Sequence, residues 1–130
     1  MHDHSTYDYA GIRVVPRVER GEFVNVGVLV SCPAQDFLEA RIELDPHRVA
    51  TLDPTLDLEA LGTQLAAIPR ICEGGEAAGP IGKLSRRERF RWLVAPRSTI
   101  IQMSPAHAGQ CGEPHALIER LMDTMVRPLR

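Results

Sequence analysis

The chain has 130 residues, 44% of them hydrophobic and 25% charged, with a formal net charge of −2. That composition fits one domain, 1–130, large enough to bury a core, and excludes a disordered chain, a collagen-like repeat and a disulfide miniprotein. No apolar run approaches the roughly 20 residues of a membrane span, and the opening Met1-His2-Asp3-His4 carries no basic and apolar secretory signal.

Residues 1–6 are expected to be frayed. Residues 7–15 predict a strand, and 16–21, bracketed by Pro16 and Gly21, a turn. Residues 22–31 give the clearest strand: Val24, Val26, Val28 and Val30 share one face at period two, and Phe23, Asn25, Gly27 and Leu29 the other. A turn at 32–36 leads to a third strand, 37–44, with Leu38, Ala40, Ile42 and Leu44 inward. Links this short predict an antiparallel meander.

Helices follow. Asp53-Pro54 and Asp57 are helix starters, and Leu58, Leu61, Leu65 and Ile68 form one apolar stripe that Pro69 should end or kink. The glycine-rich segment 73–83 predicts a mobile loop. Ser85 and Glu88 make a capping box for a helix running to Val94, with Phe90, Leu93 and Val94 inward. Residues 98–103 predict a fourth strand and 104–112 a loop. Pro114 opens a last helix striped by Leu117, Ile118, Leu121, Met122 and Met125. The order predicts an α+β fold: a mostly antiparallel sheet, a three-stranded meander plus a later strand, with helices packed on one face.

Charge is segregated. Residues 22–60 carry eight acidic side chains against two arginines, and residues 83–97 six basic ones against Glu88. The blocks either face each other or the basic one meets an anion. Cys32, Cys72 and Cys111 have neither metal-ligand nor redox spacing, which fits a reduced, cytoplasmic thiol state. No histidine pair outside the frayed terminus has ligand spacing, so neither metal nor cofactor is expected. Gly79-Pro80-Ile81-Gly82-Lys83 fails the phosphate-loop pattern, since Leu84 stands where a Ser or Thr would hold magnesium.

The candidate site residues fall in three places. Arg13 and Asn25 point away from the valine face beside Gly11 and Gly27, which suits a ligand site or a buried polar network. Arg89 belongs to a group of arginines at a helix start, where an anion would offset their conflict with the helix dipole. Arg97 and Ser98, with Ser104 and His107, flank the fourth strand. An anion clamp, hydroxyls and a base are the ingredients of acyl or phosphoryl chemistry. Trp92 is expected in the core or in a subunit interface.

Two segments carry a resemblance. Arg13 to Val30 (RVVPRVERGEFVNVGVLV) and Arg87 to Gly109 (RERFRWLVAPRSTIIQMSPAHAG) are similar to a bacterial family of uncharacterised proteins, the domain of unknown function 3037. The likeness runs from about Tyr7 to Val126. It carries over Arg13, Glu22, Asn25, Gly27, Arg89, Trp92, Pro96, Arg97, Ser98, Ser104 and His107 as motif positions. The family supplies no activity; it implies a small bacterial protein, in some cases encoded beside a HipA-like kinase.

Two functions are therefore weighed. The preferred one is a non-enzymatic binding or accessory protein, partnering a HipA-like kinase or a second copy of itself. It rests on small size, the lack of a catalytic motif, and Phe23 and Leu29 exposed on an otherwise polar face. The alternative is a small hydrolase or transferase for a phosphate-bearing or nucleic-acid substrate. There Arg13, Arg89 and Arg97 would clamp the anion, with His107, Ser98 or Ser104 catalytic. Nucleic-acid binding without catalysis lacks surface aromatics and basic charge, and nothing suggests a membrane.

Overall fold

Alternating β-branched residues build the centre of the molecule. The computed structural model describes residues 4–97 and 99–129. Its strands are β1 (Ser5–Val14), β2 (Val24–Cys32), β3 (Phe37–Ile42), β4 (Ile101–Met103) and β5 (His107–Cys111). They form one antiparallel sheet in the order β3-β2-β1-β4, and β5 pairs with the first half of β1 on the same edge as β4. The helices are α1 (Pro46–Leu52), α2 (Leu58–Glu73), α3 (Arg86–Val94) and α4 (Pro114–Met125). No described helix is long and apolar enough to cross a membrane.

The α+β class holds, and so does the meander. The helices, however, cover both faces of the sheet. Ile12, Val14, Val24, Val26, Leu29 and Leu38 pack under α1, α2 and α3. Val28, Val30, Tyr7, Tyr9 and Phe37 pack under α4 on the other side. A β-bulge causes the split. Ile12 faces Gly27 but Arg13 faces Asn25, so Val26 is the extra residue. The bulge reverses the phase of β2, and the four valines divide between two cores. Leu29, expected on an exposed face, is fully buried. Gly27 is required by close strand packing, because a Cβ there would collide with the Arg41 carbonyl.

Other departures have local causes. Of the segment 1–6 expected to fray, residues 1–3 lie outside the described residues, whereas Ser5 and Thr6 pair with Cys111 and Gln110. Asp45, not Asp53, starts the first helix: its carboxylate accepts the His47 amide, and Pro46 supplies the first helical φ. Asp53 closes that helix and accepts from the Thr55 amide and hydroxyl. Pro69 does not end α2, because Cys72 continues the buried stripe of Leu61, Leu65 and Ile68. Segment 73–83 is built of 3-10 turns over Glu76–Lys83, pinned by the Gly75 amide on the Gly82 carbonyl at 3.1 Å.

Candidate functional site

The basic block pairs with two acids around α3, of which Asp36 belongs to the acidic block. Arg87 of α3 reaches Asp8 of β1 at 2.7 Å, and Arg86 lies 3.9 Å from Asp36. The capping box forms as expected: Ser85 Oγ accepts the Glu88 amide and Glu88 Oε1 accepts the Ser85 amide. Hydrogen bonds from Ser85 hold the Glu88 carboxyl below the usual carboxylate range. The capping box thus occupies the Ser85 and Glu88 amides at the helix start.

Arg89 is buried rather than open to a ligand. Its guanidinium donates to the carbonyls of Ile71, Cys72 and Leu84 at 2.8, 2.6 and 3.1 Å. It thereby caps the end of α2 and ties the 3-10 segment to α3. Burial pushes the neighbouring Cys72 thiol up to about 12, despite the opposing pull of Arg89, which disfavours the thiolate.

Arg97 does comparable work at the end of α3. It donates to the carbonyls of Trp92, Leu93 and Ala95 at 2.6, 2.8 and 3.2 Å. Its guanidinium also lies 4.5 Å from the centre of the Trp92 ring, a cation–π contact that holds the indole in place. Trp92 is 41% exposed, which places it outside the core.

The other candidates lie elsewhere. Arg13 sits on the α4 face of β1, in register with Asn25 and Gln102, its guanidinium 4.1 Å from the Phe23 ring centre. Asn25 donates to the Met125 carbonyl at 3.2 Å. Arg13 Nε and Asn25 Oδ1 are both shielded and have no partner among the described residues. Ser104 is buried at the break between β4 and β5, where its Oγ accepts the Gly11 amide at 2.8 Å. His107 lies in β5, not in a loop. It is paired with Tyr9, and the two rings are 5.3 Å apart. Ser98 lies outside the described residues.

Asn25 and Ser104 meet at Gly11, next to Arg13, but Arg97 and His107 do not converge with them. Arg97 belongs to the α2/α3 face, and Arg13 and His107 to the α4 face. His107 pairs with Tyr9, four residues from Arg13 along β1, which separates the two positions by roughly 13 Å at strand rise. Proton transfer needs hydrogen-bond reach. No group of three or more His, Cys, Asp or Glu side chains suited to a metal lies among the described residues.

What the structure does assemble is an apolar groove between α2, α3 and β4. Ile68 and Ile71 of α2, Trp92 and Leu93 of α3, and Ile101 and Met103 of β4 line it, with a volume of about 270 Å³. Among the described residues, Arg97 is the only ionisable side chain in the lining. The cavity falls below the roughly 300–1,000 Å³ common for small-molecule sites. It suits one or two inserted side chains better than a whole cofactor. Sequence gave two signals for it: Ile71 lies off the α2 stripe, and Trp92 off the Phe90/Leu93/Val94 stripe of α3.

The family model described as "Protein of unknown function (DUF3037)" matches residues 9–126. The chain belongs to that family. In this DUF3037 member the match spans both the groove and the Arg13/Asn25 row. No curated protein and no solved structure matches it.

Proposed function

We propose that this protein is a non-enzymatic binding module whose α2/α3/β4 groove receives an apolar segment of a protein partner. The observation that carries this reading is Trp92. A half-exposed indole, held by Arg97 at the rim of an apolar groove, has the character of an interface anchor, since Trp is enriched at the centres of protein interfaces. The polar motif residues support binding over catalysis. Arg89 and Ser104 spend their hydrogen bonds on the chain's own backbone, and Arg97 and His107 lie on opposite faces of the sheet, so these described candidates do not form one catalytic cluster.

The HipA-like kinase implied by the family resemblance is the first partner to test, and a second copy of the chain is the next. Three free, buried cysteines fit a reducing bacterial cytoplasm as the setting. The experiment is calorimetric titration of a purified HipA-like kinase into the protein and into Trp92→Ala. Binding that weakens by about 2 kcal/mol in the variant, close to thirtyfold, supports the reading. Equal affinity for both proteins places the contact elsewhere. No binding, together with a monomer in sedimentation, removes both named partners.

A further inference from the structure

Beside the groove runs an open sheet edge. β4 pairs only with β1, so its far side has no strand partner among the described residues. The phase of its backbone is fixed at both ends. The Ile100 carbonyl accepts the Val15 amide at 2.6 Å, and the Ser104 amide donates to the Gly11 carbonyl at 2.9 Å. In an antiparallel pair, residues at period two turn their polar groups the same way. Ile100, Gln102 and Ser104 therefore address β1, and Ile101 and Met103 turn theirs outward. Thr99 Oγ1 donates to the Ile101 carbonyl at 2.8 Å. The Ile101 amide, the Met103 amide and the Met103 carbonyl remain open among the described residues.

The same two residues place their side chains in the groove. Open backbone groups and an apolar trough thus come from one strand. A segment paired with β4 would lie about 4.8 Å from it, and every second side chain would fall on the groove face. An extended backbone satisfies the edge amides and carbonyl. A helix, whose own amides and carbonyls are used internally, does not. The charge of the lining is single-signed among the described residues: Arg97 is present and no acid is. A carboxylate in the incoming segment meets a cation there and no like charge.

We propose that the partner segment binds as an added β-strand on β4, with alternating apolar side chains in the groove and an Asp or Glu facing Arg97. This rests on the groove being the binding surface and names what occupies it. Only a short stretch of edge is offered, so backbone pairing sets direction and register. The groove side chains then select the sequence.

The test uses a random heptapeptide phage library selected on the intact protein. Synthetic copies of the winners are then titrated by the fluorescence of Trp92, the chain's only tryptophan. The expected winners alternate apolar residues and carry an acidic one. N-methylation at alternate amides of such a peptide should weaken binding roughly tenfold on one set and little on the other, because only one set faces β4. Winners that bind the groove but lose affinity uniformly, or that read as amphipathic helices, overturn the strand mode and leave the groove reading standing. Peptides whose affinity, measured by calorimetry, is the same for the parent and for Trp92→Ala, or no enrichment at all, overturn both. Basic winners overturn the charge assignment.

Discussion

Ser104 stands in for a strand residue opposite Gly11. Its amide donates to the Gly11 carbonyl at 2.9 Å, and its Oγ, rather than its carbonyl, accepts the Gly11 amide at 2.8 Å. The hydroxyl then donates to the Pro105 carbonyl at 3.0 Å. One side chain thereby bridges the break between β4 and β5 and gives the buried Gly11 amide its acceptor. Ser104→Ala strips the buried Gly11 amide of its acceptor, at an expected cost of about 1–3 kcal/mol. Urea denaturation measures it. A change within the noise of the extrapolation would mean that water or a shifted carbonyl replaces the hydroxyl.

Arg89 and Gly74 form a second framework pair. Gly74 has φ +79°, a conformation that strains L side chains, and a Cβ there would lie 2.8 Å from Arg89 Nη1. Arg89→Met should destabilise the fold by roughly 1.5–3 kcal/mol, because carbonyls at the end of α2 lose a charged donor. Gly74→Ala should also destabilise, and the two effects should fall short of additive because they act on one contact. Thermal unfolding of both single variants and the double variant checks this. Strict additivity would uncouple them.

These relationships mark the limit of what the sequence discloses. The capping box at Ser85/Glu88, the stripes of α2 and α4 and the three-stranded meander are local patterns, and they form as written. The bulge at Val26 is not local. It appears only in the pairing of β2 with β1, and a run of alternating valines conceals it. β5 was equally hidden: His107-Ala108-Gly109-Gln110-Cys111 has weak strand character, and Gly109 is covered by the Tyr7 ring from the neighbouring strand. At the site, residue chemistry was visible but geometry was not. Arg97 and Ser104 carry groups suited to catalysis, and only tertiary structure assigns those groups to backbone carbonyls and an amide.

The cysteines should be silent in the native state. All three are buried, and desolvation raises the thiol pKa of Cys111 as well as that of Cys72. A thiol-disulfide indicator at pH 8 should therefore register almost nothing until denaturant is added, and then three thiols. Fast labelling of the folded protein would contradict the packing of both cores.

Acid should loosen the end of α4. Arg127 lies against Glu43, Glu119 and Asp123 at 2.7–2.8 Å. Its hydrogen bonds hold the Glu43 and Glu119 carboxyls below the usual range. A carboxyl whose pKa is lower in the folded state stabilises the fold above its unfolded value, and that contribution fades as pH falls through the folded one. The melting temperature of Arg127→Gln should thus lie furthest below the parent near neutral pH and low salt. The gap should close in acid. A gap that widens in acid would reverse the sign of this linkage.

The claim that the α2/α3/β4 groove is the working surface is tested most directly by site-specific photo-crosslinking in the native cell. A photoreactive side chain is placed at Gln64, on the groove wall, or at Thr124, on exposed α4 across the sheet. The account predicts a discrete protein adduct from position 64 that disappears in the Trp92→Ala background, and none from position 124. Adducts from position 124 alone, or from both positions regardless of Trp92, would contradict it.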